Sequence, residues 1–112
     1  MMHTQDLPSS WVDGEDVFVR TELEYRPGER VEVVVRKRGW RFDISDGGRA
    51  VGAAGSPSGW QDVAERLVEA HAVNVNRRGV VFVQSNEARL ESLVLRVAEC
   101  SLAVYGELLD LE

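Results

Sequence analysis

Between residues 90 and 108 the chain carries Leu90, Leu93, Val94, Val97, Ser101, Val104, Tyr105 and Leu108 at the three- and four-residue spacing of one helical face. A helix with so continuous a stripe must lie against something, so the rest of the chain has to supply an apolar surface beneath it. Beside the first stripe runs a second, Leu95, Ala98, Leu102 and Leu109. At about 100° per residue the two together cover roughly 200°, twice the arc that a surface helix needs to bury. This helix therefore asks to be covered from two directions, by another helix of the same chain or by another molecule.

The surface beneath it can be read upstream. Val17, Val19, Thr21, Leu23 and Tyr25 alternate with Phe18, Arg20, Glu22 and Glu24, the period of a strand with one wet face. Pro27 and Gly28 supply a turn. Val31, Val33 and Val35 then alternate with Glu32, Val34 and Arg36, and Lys37-Arg38-Gly39 forms a connection to a third set, Trp40, Phe42 and Ile44. Residues 16–45 are thus expected to form a three-stranded antiparallel meander. A helix follows "GSPSG", with Ser58 at the N-cap, Gln61 at the capping-box spacing, and Trp60, Val63, Ala64, Leu67, Val68 and His71 on one face. Val73 and Val75, then Val80 to Val83, flank Asn76-Arg77-Arg78-Gly79 as a hairpin. The element order is β-β-β-α-β-β-α, an α+β fold.

Length suits a single domain over 16–110, since 112 residues is one core and not two. Residues 1–15 are expected to form a flexible arm with Leu7 and Trp11 as possible anchors, and "AVGAAGSPSG" a flexible connection. Leu111-Glu112 has the look of a tag remnant, in which case a following domain is missing after Asp110. No apolar run approaches the ~18 residues of a membrane span, and no leader is visible. One cysteine allows no internal disulfide, which fits a cytoplasmic setting.

Chemistry is sparse. "SDGG" at 45–48 has glycines, but no lysine follows and no helix start is expected there, so it reads as a turn rather than a phosphate loop. It also lacks the distal Glu of a calcium loop. His3, His71 and Cys100 are too few for a zinc site, and Cys100 reads as a small buried side chain. Glu32 and Lys37 fall on opposite faces of a strand, which removes a nuclease-like metal pair. No catalytic residue, metal or cofactor is expected.

The charge patterns are more informative. The formal charge of −6 disfavours a nucleic-acid partner. Against that, Arg36, Lys37 and Arg38 sit at one hairpin tip and Arg77 and Arg78 at another. Converging, they would make a cationic edge for nucleic acid or an acidic partner.

From "VFVRTELEY" through "RGWRFDISDGGRAV" and "AVNVNRRGVVFV" to the last helix, roughly residues 16–105, the chain resembles a bacterial, prophage-associated domain family of unknown function. That resemblance transfers no catalytic residue, and "GAAGSPSG" departs from the leucine-bearing segment expected after the turn. At the level of architecture the chain is also similar to secretion chaperones, which dimerise through a helix and hold an extended client. The expected function is a non-enzymatic protein-interaction module, dimeric or partner-bound through Leu95, Ala98, Leu102 and Leu109. A nucleic-acid-associated regulator using the basic tips, and a chaperone-like client binder, are the alternatives.

Overall fold

The computed structural model describes residues 7, 8 and 10–111. Strands β1 (Asp16–Arg26), β2 (Glu29–Arg38) and β3 (Arg41–Ser45) form the meander. Helices α1 (Arg49–Ala53) and α2 (Trp60–His71) follow, then β4 (Asn74–Val75), β5 (Val81–Ser85), a 3-10 turn over Glu87–Arg89 and helix α3 (Leu90–Leu109). The strands make one antiparallel sheet in the order β1-β2-β3-β5-β4. The fold is α+β.

Register explains which side is buried. Val17 and Val19 of β1 face Val35 and Val33 of β2, and Val35 faces Ile44 of β3. Directly opposed residues share a face, so one side of the sheet is a field of valines and isoleucine. Val19, Val31, Val33, Val35, Ile44 and Val81 are fully buried there. α3 lies across that side and touches β1, β2, β3 and β5, while α2 packs on α3 and reaches β4. Every residue of α3's first stripe is buried. The 3-10 turn that leads into it is capped by Asn86, whose side-chain oxygen accepts from Arg89 N at 3.1 Å.

Several local expectations are corrected. The connection read as flexible contains α1, and its Ala50, Val51 and Ala54 are buried. Small side chains let this turn of helix lie close against α3, which is why an apparently featureless stretch is ordered. The start of α1 directly after "SDGG" also overturns the expectation that no helix begins there. Trp40 is 86% exposed rather than part of the third strand's buried set. Arg38 pairs with Arg41, so Gly39-Trp40 is a two-residue turn, and its second residue points to solvent. α2 is not capped by Ser58: Gly59 is the N-cap, in the left-handed region at φ 85°, with no side-chain cap.

The arm expected over 1–15 is tied down from Trp11 onward. Trp11 meets Phe42 edge-on with ring centroids 4.9 Å apart. Asp13 accepts from Gly39 N at 3.1 Å, and Gly14 N donates to Lys37 O at 2.9 Å. Leu7 packs on the core, as its anchoring role requires. The readings of residues 1–6 (His3 among them), Ser9 and Glu112 lie outside the described residues.

Candidate functional site

The two basic tips do not converge. Arg38 and Arg41 close one end of β3. At the other end Ser45 faces Phe82, and Val75 faces Val81, so the turn bearing Arg77 and Arg78 lies beyond the far end of the same strand. The separation is at least the length of β3, about 15 Å. The first tip is also neutralised within the chain. Arg36 Nε is 2.7 Å from Asp16, Lys37 Nζ 3.3 Å from Asp13, and Arg38 Nε 2.6 Å from Asp43. The hydrogen bond from Arg36, with the charges of Arg36 and Arg38, holds Asp16 below the usual carboxylate range. Arg77 and Arg78 are exposed.

The Arg36–Asp16 and Arg38–Asp43 pairs belong to the uncovered face of the sheet, whereas Lys37 stands opposite Phe42 at the end of the covered one. Across the uncovered face run two rows in register. One is Asp16, Arg36, Asp43 and Gln84; the next is Phe18, Val34, Ser45 and Phe82. Phe18 is 53% exposed. Opposite charges alternate along the first row, which is the arrangement that stabilises cross-strand neighbours, so the cations there serve the sheet.

The second stripe of α3 has a divided fate. Ala98 is fully buried against its own chain, so it is not available to a partner. Leu95 and Leu102 are partly exposed, and Leu109 is 42% exposed. The reason lies in where α2 sits. Arg66 of α2 pairs with Glu107 of α3. At about 100° per residue, Leu95, Leu102 and Leu109 lie roughly 120–160° around the helix from Glu107. α2 thus covers the flank toward β4, and the leucine flank looks away from it, toward the β1 edge of the sheet.

One polar cluster lies inside. Asp46 is completely buried. Its Oδ1 accepts from Gly48 N at 2.8 Å and Val81 N at 3.0 Å. Its Oδ2 accepts from Ser101 Oγ at 2.7 Å and, at 3.5 Å, from Ala50 N. Ser101 Oγ lies 2.6 Å from the Tyr25 hydroxyl. Burial raises Asp46 above the usual carboxylate range, against the pull of these hydrogen bonds. Burial likewise pushes Tyr25 up to about 12. It pushes Cys100 up to about 12, with the Asp46 charge adding to the effect, so near neutrality Cys100 is a thiol and a weak nucleophile.

The "SDGG" turn is therefore the joint between β3, α1, β5 and α3, which the sequence reading did not see. The signal was available in two places. Ser101 interrupts an otherwise apolar stripe, and Tyr25 ends an apolar strand face. Each brings a hydroxyl into the core, and a buried hydroxyl needs a partner.

Among the described residues no three His, Cys, Asp or Glu side chains come together in a way that could hold a metal ion. No described helix is long and apolar enough to cross a membrane. Comparison with protein-family models, curated protein sequences and solved structures gives no match.

Proposed function

We propose that the chain is a non-catalytic interaction module that associates with a second copy of itself through the leucine flank of α3. The observation that carries this reading is the spacing of Leu95, Leu102 and Leu109. They recur every seven residues, which keeps them on one line along a helix and is the repeat of a helix–helix seam. They are also the partly uncovered large apolar side chains of a helix whose other apolar groups, the half-buried Ala103 apart, are buried. The line is symmetric about Leu102. Two antiparallel copies of α3 would set Leu102 against Leu102, and Leu95 against Leu109. Gly106, with nothing near its missing Cβ, would let the backbones draw together.

A closed two-fold contact of this kind uses one patch twice and does not propagate. Dimerisation through a helix is also what the secretion-chaperone alternative would require. The separated and neutralised basic tips give nucleic acid no comparable support.

Light scattering after size exclusion tests the reading. The wild-type chain is expected to elute as a dimer at micromolar concentration. Leu95→Glu with Leu102→Glu should be a monomer with unchanged helical circular dichroism, because both positions are partly exposed and, although Leu102 also packs on the core, each glutamate can keep its charge in water. A monomeric wild type removes the proposal. So does a dimer that survives both substitutions.

A further inference from the structure

A fully buried carboxylate in the core of a small protein is expensive unless hydrogen-bonded, and among the described residues this one is held by amides and a hydroxyl, with no cation paired to it. The groups facing it can be named element by element. β1 brings Tyr25, and α3 brings Cys100, Ser101 and, edge-on to Tyr25 at 5.1 Å, Tyr105. From α1, Arg49 is directed to Glu32 of β2, 3.4 Å away. Glu29 at the start of β2 acts on Tyr25 from a distance. β5 contributes only the Val81 amide.

The two carboxylate oxygens are not equivalent. Oδ1 is committed to two backbone amides, which can only donate. Oδ2 has one close partner, the Ser101 hydroxyl, which can donate or accept. A proton therefore belongs on Oδ2. With Asp46 ionised the chain runs Tyr25 to Ser101 to Asp46, each hydroxyl donating to the next. When water delivers a proton to Oδ2, Asp46 donates to Ser101, Ser101 donates to Tyr25, and the Tyr25 hydroxyl hydrogen turns outward. One O–H bond forms, on Oδ2, with its proton taken from solvent hydronium, and no other covalent bond of the protein changes. Both amide bonds to Oδ1 survive, and the uncompensated charge is gone.

We propose that Asp46, Ser101 and Tyr25 form a pH-sensitive lock that tightens the joint of β1, α1, β5 and α3 when Asp46 takes up a proton.

The sign follows from linkage. The carboxyl is raised in the folded state above its ordinary value of 3.8. Between that value and the folded one, the native chain binds a proton that the unfolded chain does not. The stabilisation is complete below 3.8 and is lost as pH rises through the folded value. Asp16 acts in the opposite direction and lower down. Held low by Arg36, it contributes stability that disappears as pH falls below the ordinary carboxylate range.

The test is thermal unfolding against pH for the full chain and for Asp46→Asn. Asparagine keeps an oxygen for the two amides, offers an N–H to Ser101 and is neutral at every pH. The wild-type Tm is expected to rise as pH is lowered from neutral through the raised folded value of the Asp46 carboxyl, ahead of general acid unfolding. Asp46→Asn should match or exceed the wild type at neutral pH and lack that rise. A purely structural role would make Asp46→Asn uniformly less stable with the same pH profile, and that result overturns the proposal. Should the variant not fold, the carbon-13 shift of the Asp46 carboxyl in the wild-type chain decides. A midpoint above 3.8 supports the lock and a midpoint at or below it refutes it.

Discussion

Gly79→Ala is expected to destabilise the fold by about 2–5 kcal/mol, far more than the same change at Gly28. Both glycines lie in turns with positive φ, 80° at Gly79 and 84° at Gly28. A left-handed conformation costs an L-residue about 1–2 kcal/mol, and that share is common to the two sites. They differ in space. A Cβ on Gly28 meets nothing within 4 Å, whereas one on Gly79 falls 2.9 Å from Val51 Cβ and 3.0 Å from both of its methyls. Val51 is 2% exposed. Its Cβ is fixed to the α1 backbone, so no rotamer change relieves the contact. Either α1 shifts or the turn does. Urea unfolding of both variants separates the terms: equal costs would mean that the turn and α1 are not in contact, and the packing described for α1 would fall with that result.

That contact also shows how far the sequence could be read. Period-two alternation located β1, β2 and most of β3, because sheet burial acts on every second residue and leaves a regular trace. The stripe of α3 was legible for the same reason, at helical spacing. What escaped notice is what depends on contacts between distant segments. Ala50, Val51 and Ala54 carry too little apolar surface to announce a helix, and α1 exists because α3 and the Asn76–Val80 turn close over it. Gly79 reads as an ordinary turn glycine until Val51 is placed beside it. Asp46 reads as a turn residue until Ser101, 55 positions later, supplies its partner.

The proposed interaction surface divided along the same line. Leu95, Leu102 and Leu109 could be found from spacing alone. That Ala98 is spent on the chain's own core could not, since it depends on how the rest of the chain closes over α3. The charged residues at the β2–β3 turn were equally visible, but whether they are free depends on Asp13, Asp16 and Asp43. Asp16 and Asp43 reach them only through the register of β1 and β3, and Asp13 through the fold of the arm. Strand order then decided that Arg77 and Arg78 belong to the opposite end of the sheet.

Phe42→Ala is expected to cost about 3–5 kcal/mol, the range for emptying a buried aromatic site. Phe42 is 2% exposed and lies at the end of the sheet where β3 begins, paired in register with Lys37 and Ser85. For a domain with a total stability of about 5–15 kcal/mol this is a large fraction. Part of the loss has a specific origin. Trp11 rests edge-on against Phe42, an arrangement that adds about 0.5–1.5 kcal/mol beyond the area it buries. A double-mutant cycle with Trp11→Ala should therefore show a coupling of about 1 kcal/mol. Trp11 is also how the segment before β1 is held, together with the Asp13 carboxylate on Gly39 N. Removing Phe42 should release that segment before the sheet unfolds, seen as faster amide exchange at Gly14 with Val33 and Val35 still protected. A large cost with no coupling to Trp11 would place Phe42 in the core but leave residues 11–15 as the loose arm that their composition suggests.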